Sequence, residues 1–529
     1  MSLEQKVGQV MAIGFDGPEF DPGLKEMIET YHIGGIILFA RNVETPSQTA
    51  RLINAAQESA QQNSGPGLFT AIDQEGGRVA RLTVSNGFTQ FPSAMAVGAT
   101  GAPRNAARVA AAMALEMRSI GLNVDFAPDL DVNNNPANPV IGTRSFGSHP
   151  EDVAEFGAAF IQGLQHNGVI AFGKHFPGHG DTSIDSHFGL PTIAHARQHL
   201  DRVELLPFQA AIRADVAGIM SAHVIFPAIE SIHGLPSTLS KSVLTDLLRN
   251  ELGFTGITAT DSLEMGALAD SGWPVVKAAP AALAAGADLL LFNQGHEIHK
   301  QAYNAILSAV QVGEIPLARL DEAVRRILTT KGRFNLQRIE PVDPDQAEWI
   351  CGRAEHQAES LQITRQSVTL LRNSARLLPL SKAEQAFVIE IPLACGLGLL
   401  LQKTAVPIAE KPTGAEIRMV TGLARQGHPV IIGVNNLDNN PEQRKLVQAL
   451  RMSQAKIILI ALRDPYDLIQ FPDVQTMLAT YAANPPTLQA LADVLTGRIN
   501  PHGKLPVELP GLFSHSTGLE YNQDGNQTF

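Results

Sequence analysis

Apolar runs of strand length recur through the first two thirds of the chain: QVMAIGF, GGIILFA, LFTAID, NVDFAPDLD, GVIAFGKHF, AGIMSAHV, GITATDS and ADLLLF. Between them lie stretches whose apolar residues return at helical spacing, such as PRNAARVAAAMALEMRSIG, EDVAEFGAAFIQGLQHNG, LDRVELLPFQAAIRADV and STLSKSVLTDLLRNELG, several closed by a helix-stopping glycine. Continuously apolar strands that alternate with helices predict a parallel sheet covered on its outside. Eight such units predict closure into a (β/α)8 TIM-type barrel.

Near KGRFNLQRIEPVDPDQAEW the alternation stops in a polar, proline-bearing stretch. The predicted division is therefore a barrel domain over 1–335, a linker over 336–365 and a C-terminal domain over 366–529. In the last, SVTLLR, AFVIEIP, EIRMVTG, PVIIGVNN and KIILIALRDP read as strands among helical stretches such as EQRKLVQALRMSQ, which predicts a smaller α/β sandwich. No Walker loop or GxGxxG follows any of these strands, so no nucleotide or other cofactor is expected.

Polar residues mark one end of the predicted barrel. Asp73, Asp131, His175, His223 and Asp261 each fall at or just past the C-terminal end of a predicted strand. That rim is where barrel enzymes hold their chemistry, because the loops there converge on the barrel axis.

Composition narrows the partners. Hydrophobic residues make up 44% and charged residues 17%, a globular balance. A net charge of −12 without a long basic stretch argues against nucleic acid and leaves a small neutral ligand. The longest apolar run, near PLACGLGLLL, is shorter than the roughly 20 residues that span a bilayer, so no membrane partner is expected. LEQKVGQVMAIGF carries no secretion-signal pattern, and the expected compartment is the cytoplasm. Cys351 and Cys395 are too few for a disulfide framework or a cysteine metal site. Oligomeric state stays open.

The densest chemistry is KHFPGHGDTSIDSH, residues 174–187. His175, His179, Asp181, Asp185 and His187 could in principle bind a metal, but the Pro and Gly of FPGHGD break any helix that would align them, and no metal ligand is expected. His179 and Asp181 read as braces for a turn-rich loop. Lys174 and His175 emerge at the barrel mouth, where a charged lysine needs a polar partner. Asp185 and His187, two apart, suit a proton-transfer pair in which the carboxylate fixes the imidazole tautomer; an ordinary surface Asp-x-His contact reads equally well.

In GITATDSLEM, Asp261 follows a strand and faces the same rim. Its carboxylate suits attack on an electrophilic carbon, or a cap on the following helix. A fixed carboxylate and a proton-moving imidazole are together what retaining glycoside hydrolysis requires.

KHFPGHGDTSIDSHFGLP, DQEGGRVARL, NPVIGTRSFG and TDSLEM resemble the motifs of family 3 glycoside hydrolases, specifically the β-N-acetylglucosaminidase branch, and the tail GKLPVELP resembles the end of that family's second domain. The resemblance implies an exo-acting enzyme that releases terminal β-linked N-acetylglucosamine, with cell-wall fragments as one source. It implies Asp261 as nucleophile, His187 as acid/base and Asp185 as its partner, with Asp73, Arg81, Arg144, Lys174 and His175 binding the sugar. Ordinary readings stand beside these: Arg81 and Arg144 as salt-bridge partners, Asp73 as a cap on QEGGR. The DSH triplet distinguishes this branch from family β-glucosidases, whose carboxylic acid/base comes from outside the barrel, so the C-terminal domain is expected to supply no catalytic residue. The rivals are a phosphorylase with the same residues, a metal-dependent barrel hydrolase and a sugar-binding protein without turnover.

Overall fold

The computed structural model describes residues 1–63, 65–183, 189–293, 295–521 and 527–528 of the 529-residue chain. All eight predicted strands are present: β1 Met11–Gly14, β2 Gly35–Leu38, β3 Phe69–Ile72, β4 Val124–Asp125, β5 Ile170–Phe176, β6 Gly218–Ser221, β7 Ile257–Ala259 and β8 Leu290–Phe292. They are parallel and ordered β7-β6-β5-β4-β3-β2-β1-β8, and a bridge between Ala259 and Leu289 joins the two ends. Every strand residue is buried, as a sheet with side chains on one face and helices on the other requires. Several outer helices start at a proline preset for the first turn, as in Pro46–Gln62, Pro103–Ser119 and Pro150–His166.

The second sheet contains β9 Thr369–Asn373, β10 Phe387–Glu390, β11 Thr404–Pro407, β12 Val430–Val434, β13 Ile457–Ala461 and β14 Thr476–Ala479. Its order is β11-β10-β12-β13-β14-β9, parallel except for β9 against β14. Helices Gly414–Ala424, Pro441–Met452 and Pro485–Leu495 complete the α/β sandwich. The segment EIRMVTG, expected as a strand, lies within the first of these helices. Thr413 and Glu416 form a reciprocal cap at its start, and burial falls at Val420 and Ala424 while Met419 is exposed, a spacing of four that belongs to a helix. Strands β11 and β14 were not anticipated. Only Val406 of β11 is buried, so that edge strand carries no apolar run.

Residues 336–365 carry two helical pieces, Pro344–Ile350 and the start of Ala354–Ser367. The buried His356 Nδ1 lies 2.7 Å from Glu116 Oε1 and ties this stretch to the barrel helix Pro103–Ser119. Met95, Ala96 and Ala99, which follow the β3 loop, pack into the core of the second domain. Tyr466 donates a hydrogen bond to the Asn133 carbonyl at 2.9 Å, so the second domain also touches the loop after β4. Among the described residues no helix is long and apolar enough to cross a membrane.

One buried cation lies far from the rim. Lys331, fully buried, donates to Gln9 Oε1 at 3.1 Å and the Gly34 carbonyl at 2.9 Å, and sits 4.9 Å from the Phe69 ring centre. Burial pulls its pKa from 10.5 down to about 7. Between these values the unfolded chain holds the proton and the folded chain does not, so raising pH favours folding. Below the folded value both states are protonated and the dependence vanishes. Urea unfolding at several pH values between neutrality and the unfolded pKa should show Lys331 adding a stability slope of up to about 1.4 kcal/mol per pH unit, absent in Lys331→Met. Equal slopes in both proteins would refute this.

Candidate active site

The rim is built from short loops pinned from below. After β3, Gln74 accepts from the amides of Arg81 and Leu82 at 2.9 and 3.0 Å and donates to the Leu82 carbonyl, folding DQEGGRVARL back on itself. The turn needs its two glycines: Gly76 and Gly77 have φ of +89° and +59°, and an added Cβ would meet the Pro92 carbonyl at 2.4 Å or Ser93 Cβ at 2.5 Å. Buried Asp125 accepts from the Gln74 amide at 2.9 Å and anchors the loop to β4. Asp73, Glu75 and Arg81 are thereby aimed at the axis.

A buried ion network follows. Arg144 forms a two-pronged contact with Glu75, Nε to Oε2 at 2.8 Å and Nη2 to Oε1 at 2.7 Å, and lies 3.4 Å from Asp129 Oδ2. Lys174 Nζ lies 2.8 Å from Asp73 Oδ1 and 2.7 Å from Glu75 Oε1. Burial alone would raise the Glu75 pKa, but Arg144 and Lys174 hold it far below the usual carboxylate range. For Lys174, burial works toward neutrality, and Asp73 with Glu75 outweighs it, so the ammonium stays charged. Arg81 Nη2 is 3.7 Å from the second oxygen of Asp73.

His175 packs against the same group. Its Nδ1 is 2.7 Å from Asp131 Oδ2, while Arg144 Nη2 lies 3.4 Å from its Nε2. Burial and the neighbouring Arg144 push its pKa down to about 4. The neutral ring therefore keeps its proton on Nδ1 and presents an acceptor at Nε2. Asp131 also accepts the amide of His179 at 2.6 Å, and His179 Nδ1 meets Thr182 Oγ1 at 2.9 Å. His179 braces the loop, as its sequence context suggested.

Across the opening, Asp261 stands beyond β7. Its Oδ1 accepts the Ser262 amide at 2.7 Å, and its other oxygen accepts no hydrogen bond among the described residues. The first helix after it, Gly266–Asp270, starts with Met265 at its cap, so the capping alternative for Asp261 does not hold. Nor does Asp73 cap QEGGR, since its contacts are to Lys174 and Arg81. His223, fully buried, holds the Asp261 loop through Nε2 to the Ser262 carbonyl at 2.9 Å and Nδ1 to Thr238 Oγ1 at 2.8 Å. Burial raises the Asp261 pKa, but His223, His175 and the Ser262 amide outweigh it, and the carboxylate is held below its ordinary range.

These groups line one cavity of about 530 Å³. Asp73, Arg81, Arg144, Lys174, His175 and Asp261 all face it, above a floor that includes Ile37, Phe126, Met220 and Leu291. Its lining among the described residues comes wholly from the barrel. The remaining predicted pair, Asp185 and His187, lies outside the described residues. Sequence reading missed Glu75, Arg78, Asp129, Glu264 and Asn293. Glu75 and Glu264 were present in DQEGGRVARL and TDSLEM, and their position just past β3 and β7 could have flagged them. A larger cavity, about 730 Å³, opens at the opposite end of the barrel beside Gly121, Gly168 and Asp215, which precede β4, β5 and β6. That face of a barrel serves stability.

Fold and site together define a (β/α)8-barrel enzyme with its reaction cleft at the C-terminal rim. Residues 2–330 match the glycosyl hydrolase family 3 N terminal domain and residues 419–528 the glycosyl hydrolase family 3 C-terminal domain. The chain belongs to glycoside hydrolase family 3. It is 32% identical to the Beta-hexosaminidase A of Pseudoalteromonas piscicida, over 92% of this chain and 91% of the relative. It is 27% identical to a Beta-N-acetylglucosaminidase/beta-glucosidase of Cellulomonas fimi, over 96% and 94%. A family 3 beta-N-acetylglucosaminidase from Paenibacillus sp. str. FPU-7 superposes with a TM-score of 0.89 at 39% identity, over 96% of this chain and 99% of that one. The resemblance read from the motifs is borne out, and the protein is a glycoside hydrolase.

Proposed function

We propose that this enzyme is an exo-acting, retaining β-N-acetylglucosaminidase that removes terminal β-linked N-acetylglucosamine by double displacement. One observation carries the reading: a charged carboxylate, Asp261, with an oxygen that accepts no hydrogen bond among the described residues, facing a network of fixed charges across a cavity that the barrel core closes from below. Asp261 attacks C1 while His187 protonates the leaving glycosidic oxygen, giving a covalent glycosyl-aspartate. Neutral His187 then removes a proton from water, whose oxygen attacks C1, releases Asp261 and restores the β configuration. Asp185 orients His187. Asp73, Arg81, Lys174 and His175 hold the sugar hydroxyls and the acetamido group, and the floor admits a chain end. The relatives named for hexosaminidase and N-acetylglucosaminidase activity support the sugar assignment.

Aryl β-glycosides with and without the 2-acetamido group, each assayed with and without phosphate, test the proposal. The expected result is preference for the acetamido sugar and free N-acetylglucosamine as product in both buffers. Equal turnover of the glucoside would refute the sugar assignment, and sugar 1-phosphate would reassign the enzyme as a phosphorylase. Activity should survive exhaustive chelation. Peptidoglycan fragments ending in β-linked N-acetylglucosamine are the proposed natural source, and release of that sugar from purified muropeptides, followed by chromatography, is the matching measurement.

A further inference from the structure

A second cluster of titratable groups lies outside the catalytic cavity, on and around helix Arg197–Arg202, with Glu204 just before the next helix, Leu205–Arg213. His195, His199 and Glu204 each offer one ligand atom, and these atoms lie within 4.8 Å of one another. The two imidazoles face each other with centroids 4.1 Å apart and planes tilted by 34°. His199 Nε2 is 3.7 Å from Glu204 Oε1, beyond hydrogen-bond reach.

Glu204 is the unusual member. Its side chain is 3% exposed, and neither carboxylate oxygen has a hydrogen-bond partner among the described residues; the same holds for His199 Nε2. A buried carboxylate without a donor is costly, and such groups need an explanation. Burial raises its pKa to about 7 against the weaker pull of its own backbone amide, and among the described residues no arginine or lysine is paired with it. The packing leaves little slack: a Cβ added at Gly178, in the PGHGD turn, would lie 2.8 Å from Glu204 Cβ and Cγ.

Asp181 supplies the outer layer. Its Oδ2 is 2.6 Å from His195 Nε2, which holds the proton on that nitrogen and leaves the Nδ1 lone pair for another ligand. His195 and His199 are 40% and 42% exposed, so a cation can arrive from solvent without opening the barrel.

We propose that His195, His199 and Glu204 form a binding site for a divalent cation of the zinc class, with Asp181 orienting His195 and a fourth position open to water. Two imidazoles and one carboxylate are the donors zinc takes, and calcium or magnesium would call for more oxygens. Zinc–ligand bonds of about 2.0–2.2 Å put tetrahedral ligand atoms about 3.3 Å apart, so the 3.7 Å pair needs a small contraction. The cation would neutralise the orphaned carboxylate. Asp129, Asp131 and His175 also place ligand atoms within 4.8 Å of one another, but the Arg144 guanidinium already sits 3.4 Å from Asp129, and a second cation there would be repelled. The proposal departs from the expectation, read from sequence, that the chain holds no metal ligand.

Zinc titration of the full chain, stripped with chelator and desalted, against a chromophoric chelator tests the site. One equivalent is expected. Asp181→Asn should weaken it about 10–100-fold, and His199→Ala or Glu204→Gln by more. Absence of a stoichiometric equivalent, several weak equivalents, or binding indifferent to these substitutions would overturn the proposal. Cobalt(II) added to the wild type keeps the test independent of variant folding. Intense visible bands of a low-coordinate ion are expected, and the pale spectrum of the hydrated ion would count against the site.

Discussion

Asp261→Asn is expected to lower kcat/KM on an aryl β-N-acetylglucosaminide by roughly 10⁴-fold, as removal of a nucleophile that works with a partner does. The fold should be untouched, because the hydrogen bond that the Asp261 side chain accepts from the Ser262 amide can equally go to an Asn carbonyl. The lost activity is thus chemical and not structural. Asp261→Gly with added azide should yield the glycosyl azide of inverted, α configuration, since azide attacks the face the carboxylate has vacated while His187 still protonates the leaving group. The carboxylate pKa lies below its ordinary value, held there by His223, His175 and the Ser262 amide against burial, so the wild type should keep its nucleophile ionised at neutral pH. More than a tenth of wild-type activity in the asparagine variant, or a β-azide from the glycine variant, would remove Asp261 from the nucleophile's role.

Arg144→Met should cost stability first and activity with it. Arg144 is 10% exposed, neutralises Glu75 and lies 3.4 Å from Asp129, beside the further buried carboxyl of Asp131. Removing one partner of a buried ion network leaves uncompensated charge, at about 3–5 kcal/mol. Asp129 has its pKa pushed up to about 8 by burial and by Asp131 and is already mostly protonated at neutral pH, so the charge that loses its partner is chiefly that of Glu75. Lys174 and His175 then lose the frame that aims them into the cavity. Arg144→Lys keeps the charge without the two-pronged fork and should fall between. Urea unfolding with KM measured in parallel decides the matter. If Arg144→Met raised KM at unchanged stability, the residue would be a pure sugar contact and not a keystone of the rim.

Much of the architecture was legible in the chain. A continuously apolar run such as GVIAFG, followed by the polar Lys174 and His175, fits an inner strand, and eight such runs leave few alternatives to a barrel. Asp73, Lys174, His175 and Asp261 were legible for the same reason, since a polar residue that ends an apolar strand must face the mouth. The helix over EIRMVTG was misread because its apolar residues sit close together, although Thr413 and Glu416 carried a capping signal. Arg144 was read as a sugar ligand or a salt-bridge partner. Its two-pronged hold on Glu75, 69 residues away, could not be seen along the chain.

Periodicity and residue chemistry alone determined the barrel, the rim and the kinds of group that stand on it, because burial patterns and pKa classes are local properties. Tertiary structure decided which charges pair. Arg144 with Glu75, Lys174 with Asp73 and Glu75, and His223 beneath Asp261 all depend on distances between elements remote in sequence. A side chain's charge state and free lone pairs follow from those neighbours and from lost water, and neither is written in the order of residues.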